Sequence, residues 1–315
     1  MGEFPRQLVA VSGPIDADKL DGVAAGMGAW GDHTRSLLDK GIVSPDMICG
    51  QTLFLLSNQP RNPNRAQHIP GGAGGVAGGV WVRERYTIHR PLERTDVFTV
   101  TGQTVGRHVR KGRRYGNNTS QTFDSSGNLV ASNISTGLMS YVPDPDLADG
   151  AEGITGDELV AVGPDGDAAM SNPHLDRLAE LSVGDVFGGH DVTVSLEMMA
   201  ARDTKNPSNP IHSDPELAKK AGLRRPIAGG NHVLSFVLEV LMDAIGTEGL
   251  LHGSSFDVRW KAPVEDGVVI VPTATVIETG DSSGVDMVVF DTEARLGADG
   301  PVAMTARVCV PAARS

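Results

Sequence analysis

Cysteine is scarce, with only Cys49 and Cys309 in 315 residues. Two distant lone thiols make neither a disulfide framework nor a zinc site, which fits a reducing compartment. No stretch approaches the ~20 apolar residues of a membrane-spanning helix. Met1–Gly13 also lacks the basic-then-apolar pattern of a secretory leader, so a cytoplasmic protein without membrane contact is expected. Basic side chains are in deficit, 27 against 39 acidic, giving a net charge of −12. That balance disfavours nonspecific binding to nucleic acid or anionic lipid. Neither a phosphate-binding P-loop nor a zinc-ligand cluster occurs, and the glycine-rich stretch 71–79 does not fit a strand-to-helix dinucleotide turn. No metal and no redox nucleotide is expected.

What is present is a glycine-rich globular composition, with 40% hydrophobic residues and 39 glycines. Residues 143–173 hold eight acidic side chains and no Lys or Arg, among repeated Pro and Gly. Such a segment reads as a linker. The expected organisation is a first half over 1–142, a linker over 143–180 and a second half over 181–315.

The flanks of this linker repeat each other at an offset of 172 to 173 residues. Arg90-Pro91-Leu92-Glu93 falls on Ala262-Pro263-Val264-Glu265, and Val97–Thr101 falls on Val269–Thr273. Leu129–Ser132 falls on Val302–Thr305, each just after a glycine turn. In the second half, 231–245 reads as a helix with almost no polar face, so it must be wrapped. Alternating strands follow near 254–260, 268–279, 285–296 and 302–310. The first half offers a matching helix near 47–57 and strands near 79–89, 97–107, 118–123 and 130–141. A curled antiparallel sheet around one buried helix, used twice, is an α+β double hotdog.

The densest local signal is Asn209-Pro210-Ile211-His212-Ser213-Asp214-Pro215, followed by Ala218, Arg225-Pro226-Ile227 and Gly229-Gly230 at the start of the buried helix. It resembles the hydratase motif of MaoC-like and R-specific enoyl-CoA hydratases. Ser44-Pro45, Ile69-Pro70-Gly71-Gly72, Gly78-Gly79 and Arg90-Pro91 resemble the first hotdog of two-domain members. The resemblance implies addition or removal of water at the 2,3-double bond of an acyl thioester by an Asp/His pair. One group takes a proton from water while the other gives one to Cα. His212 matches the motif histidine. Asp203 is the nearest preceding carboxylate, nine residues before His212 where the family has five, with 205–208 as a four-residue insertion.

Gly229 stands where the family usually has His, and the Gly230 amide at the helix start suits a thioester oxygen as negative charge develops. With Asn209 these form the expected substrate-binding set. Asp214 before Pro215 reads as a helix cap. Glu239, on the buried helix, opens the alternative of thioester hydrolysis, as in hotdog acyl-thioesterases. A hotdog that binds an acyl group without catalysis is the other alternative. In the first half Gly31-Asp32-His33-Thr34 lacks Asn-Pro, so that half is expected to be silent and to shape the substrate pocket. Arg110, Lys111, Arg113 and Arg114, with Arg107 beside them, form a basic hairpin suited to phosphates of coenzyme A or a carrier-protein arm. Lys219, Lys220, Arg224 and Arg225 form a second basic group. The thioester carrier belongs to the substrate, no separate cofactor is expected, and a homodimer is a possible assembly.

Overall fold

The computed structural model describes residues 4–50, 55–56, 80–139, 143–155, 158–159, 172–203, 210–220, 223–282 and 285–312. Strands β1 (Arg6–Gln7), β2 (Val11–Pro14), β3 (Val80–Ile88), β4 (Val97–Arg110), β5 (Arg113–Phe123), β6 (Leu129–Leu138) and β7 (Gly150–Gly153) precede β8 (Val186–Gly188) and β9 (Val192–Val194). The chain ends with β10 (Ser255–Trp260), β11 (Val268–Ser282), β12 (Val285–Leu296) and β13 (Val302–Pro311). Helices are α1 (Ala17–Gly26), α2 (Asp32–Asp39), α3 (Pro45–Cys49), α4 (Leu175–Ala179), α5 (Leu196–Asp203), α6 (Pro215–Lys220) and α7 (Gly230–Ile245).

The described strands form one sheet ordered β1-β4-β5-β6-β3-β10-β13-β12-β11-β8. The four-strand order of the first half, β4-β5-β6-β3, is mirrored as β10-β13-β12-β11 in the second. The halves meet where β3 pairs antiparallel with β10, and Arg85 faces Asp257 there, 172 residues further on. A strand that pairs antiparallel with its own repeat across equivalent residues defines a local twofold axis. Finer details repeat as well. Isolated bridges join Ile42 to Glu93 and Ile227 to Glu265. Val43 N–H donates to Leu92 O, and Ala228 N–H to Val264 O, both at 2.8 Å. By this correspondence α3 starts where α7 starts in the other half. The double hotdog read from the sequence is the fold observed.

Helix α7 is buried because Val233, Leu234, Phe236, Val237, Leu238, Leu241, Met242 and Ile245 meet an apolar sheet face bearing Phe256, Val258, Phe290 and Val308. The expectation of almost no polar face needs correction, however. Asn231, His232, Ser235 and Glu239 lie within about two turns along one side, and all four bond to the first half. Asn231 Nδ2 donates to Asp46 O at 3.5 Å, and His232 Nε2 to Gly26 O at 2.8 Å. Ser235 Oγ donates to Asp46 Oδ2 at 2.8 Å, and Glu239 accepts the amides of His33 at 3.0 Å and Thr34 at 2.8 Å. The wrapped helix is thus also the fastening between halves.

The first-half sheet differs on its inner side. Glu84, Asn118, Ser120, Thr122, Asn133 and Ser135 are all buried there. Facing them, α3 covers 45–49 and Leu55–Leu56 is helical; the rest of the expected 47–57 helix lies outside the described residues, as do Ile69–Gly72 and Gly78–Gly79. Cys49 was expected in apolar surroundings, yet its thiol donates to Glu84 Oε2 at 2.9 Å. Part of the segment read as linker is structured. β7 pairs with β4, α4 packs against α7, and Asp149 Oδ1 accepts the Lys111 amide at 2.7 Å.

Candidate active site

His212 closes the 3-10 turn Pro210–His212, between the end of α5 and the start of α6. Two apolar side chains hold this turn in place, Ile211 and Ile227, with Leu223 packed on them. The backbone of Ile227 is used on both sides: its N–H donates to Ile211 O at 3.3 Å, and its carbonyl accepts from His212 Nδ1 at 2.7 Å. Since a carbonyl only accepts, Nδ1 carries the proton, and in the neutral ring Nε2 has the lone pair. A side chain added at Gly229 would meet the His212 Cε1 and Nε2 edge at 3.9 Å. The basic edge of the ring therefore faces the start of α7.

That helix start is an acceptor site for negative charge. His232 and Val233 amides turn back to Gly229 O, at 2.9 and 3.2 Å. Gly230 and Asn231 are the first helical residues, whose amides have no carbonyl one turn earlier to bond. With the helix dipole they suit a developing oxyanion. Glycine at 230 has a steric reason too: a Cβ there would sit 2.9 Å from the Trp260 indole, whose Nε1 donates to Gly230 O at 2.9 Å. Trp260 in turn meets Trp81 of the first half with ring centroids 6.0 Å apart.

Asp203 is the last residue of α5, and this helix packs against the Pro210–His212 turn. The position of the Asp203 side chain, like Asn209 and the insertion 205–208, lies outside the described residues. Asp214 takes the amides of Glu216 at 2.9 Å and Leu217 at 3.0 Å on one oxygen, capping α6. Glu239 is engaged at the opposite end of α7, where Gly31 leaves α2 without a side-chain cap. Its carboxylate accepts the His33 and Thr34 amides and Thr34 Oγ1, the last at 2.5 Å. Burial, working against those hydrogen bonds, raises its pKa above the ordinary range. In the first half the 3-10 turn Gly28–Trp30 occupies the place of Pro210–His212, and Asp32-His33 begins α2 rather than a loop.

Sequence reasoning passed over Arg202, Asp46, His232 and Trp260. His232 is pushed down to about 3, by burial first, then by the Arg202 cation and, among smaller influences, by His212. It is neutral, and its neighbours place Arg202 beside the candidate site. The signal for Arg202 was its position immediately before Asp203. The basic hairpin is exposed at Arg110, Lys111, Arg113 and Arg114. Register puts its tip at the same end of the sheet as Trp81 and Trp260, while Glu152 of β7 faces Arg107. In the second basic group Arg224 pairs with Glu265, and Lys219 Nζ bonds Glu216 at 3.1 Å. Among the described residues, no helix is long and apolar enough to cross a membrane.

Residues 190–294 match the family model described as "MaoC like domain". No curated protein matches the sequence. Among solved structures, the chain is similar to a MaoC-like dehydratase at 17% identity and TM-score 0.66, covering 98% of both chains. It is also similar to peroxisomal multifunctional enzyme type 2 from Drosophila melanogaster, at 17% identity and TM-score 0.62. That match covers 96% of this chain and 48% of the fly protein, so this chain spans about half of that enzyme. A third likeness is to a conserved hypothetical protein from Mycobacterium tuberculosis with a double hotdog fold, at 15% identity, TM-score 0.60, and 99% and 96% coverage. This chain is therefore a double hotdog whose second half carries a MaoC-like domain.

Proposed function

We propose that the protein is a hydro-lyase that adds water to, or removes it from, the 2,3-double bond of an acyl thioester, with Asp203 and His212 as the acid/base pair. The observation that carries this reading is the His212 ring, fixed by Ile227 so that Nε2 faces the start of α7. In the hydration direction, His212 Nε2 takes a proton from water as the water oxygen bonds to Cβ. The double-bond electron pair moves toward the thioester oxygen, where the first amides of α7 oppose the developing charge. A proton from the Asp203/His212 pair then reaches Cα, and the pair ends as it began. The thioester is carried by coenzyme A or a carrier-protein arm, and Arg110, Lys111, Arg113 and Arg114 are the cations we assign to its phosphates.

The test is to mix the protein with short, long and ring-bearing 2-enoyl-CoA and follow loss of the conjugated thioester absorbance. Turnover is expected, and His212→Gln should lower kcat/KM by roughly 100-fold or more, the usual weight of a general acid/base. Release of free thiol without hydration, or turnover indifferent to His212, would reject the reading. Thioester hydrolysis at Glu239 has little to support it, because that carboxylate is committed to capping α2.

A further inference from the structure

One buried carboxylate of the first half joins three helices. Asp46, the second residue of α3, is 2% exposed. Its Oδ1 accepts from Ser44 Oγ at 2.5 Å. Its Oδ2 accepts from Ser235 Oγ on α7 at 2.8 Å and from the Arg202 guanidinium at the end of α5. The Arg202 side chain is 10% exposed, and its Cβ lies so close to α1 that a Cβ at Gly26 would stand 2.7 Å from it. A guanidinium this far from water persists only while paired, and the single buried acceptor it meets leaves its last helical turn little freedom. The next residue is Asp203.

We propose that Asp46 is a positioning residue for the second-half site: by holding Arg202 it sets the end of α5, and with it the Asp203 carboxylate, relative to His212. This rests on the reading of Asp203 and His212 above. The half that supplies no acid or base then still governs the rate, because a displacement of about 1 Å at a reacting group can cost roughly 100-fold.

The experiment compares native protein, Asp46→Asn, and Asp46→Asn/Arg202→Met, on an enoyl-CoA that the native protein turns over. The single variant strands a buried cation; the double variant removes both charges, a change that proteins tolerate far better. In both, kcat should fall roughly tenfold to 100-fold while KM stays within about threefold, as for lost alignment rather than lost binding. Only the double variant should recover Tm. If the double variant recovers kcat together with Tm, or either folded variant keeps the native kcat, the carboxylate is merely structural and the proposal falls. Should the native protein hydrate no enoyl thioester, the proposed function fails instead. The clamp is then judged by amide exchange over Ala200–Arg202, expected to quicken about tenfold in both variants; unchanged exchange rejects it.

Discussion

Glu239 shows how a buried acid is recruited to structure. The first amides of α2 need an acceptor, Gly31 offers no side chain, and Glu239 reaches across from α7. Glu239→Ala should therefore destabilise the protein by about 1–2 kcal/mol, the usual weight of a lost cap, while enoyl-CoA hydration stays within a few-fold. A thermal melt alongside the absorbance assay checks both. Glu84 is a different case, pushed up to about 8 by burial against an ordinary value of 4.5. The folded state keeps this proton where the unfolded chain releases it. Its contribution to stability is thus complete below about pH 4.5 and is lost as pH rises to about 8. Glu84→Gln should flatten the fall of Tm across that window; an unaltered slope would show that other groups set it.

Among elements, α1 and α5 pack on one another, with Gly26 against Arg202 Cβ and the Met198 carbonyl. Gly26→Ala should cost about 1–3 kcal/mol, as overpacking does, and should slow hydration as well because it pushes on Arg202. Equal loss of stability with full activity would separate this contact from the site. The strands and α7 were legible because the period of a half-buried strand and an all-apolar helix are both written locally. The four polar residues of α7 were present in the sequence, but their partners lie 180 to 210 residues away, so their use as a fastening was not. The same holds for the polar inner face of the first half. Asn118, Ser120, Asn133 and Ser135 alternate like any core positions, yet carry side chains that local reading assigns to the outside. At the site, His212 and the capping role of Asp214 were readable from adjacent residues, whereas Arg202 gained meaning only once Asp46 stood beside it.

For the molecule as a whole, the β3–β10 seam and the fastening of α7 leave neither half a complete surface of its own, and one apolar core runs through both. Thermal unfolding should then be a single cooperative transition, with calorimetric and van't Hoff enthalpies equal; two resolved transitions would mean that the halves fold separately. At the seam Arg83 Nη2 bonds Asp257 at 2.6 Å, Arg85 faces the same aspartate, and Arg259 Nε lies 3.9 Å from it. Asp257→Ala leaves three cations together, so its Tm should fall, and fall further at low ionic strength. The axis through Arg85 and Asp257 also marks a freedom that two separate, identical subunits lack. In such a pair the axial residue confronts its own copy, and any charge placed there repels itself. Joined in one polypeptide, the two copies are encoded apart and can drift to opposite signs, so the position where symmetry forbids attraction between twins is here occupied by arginine and aspartate.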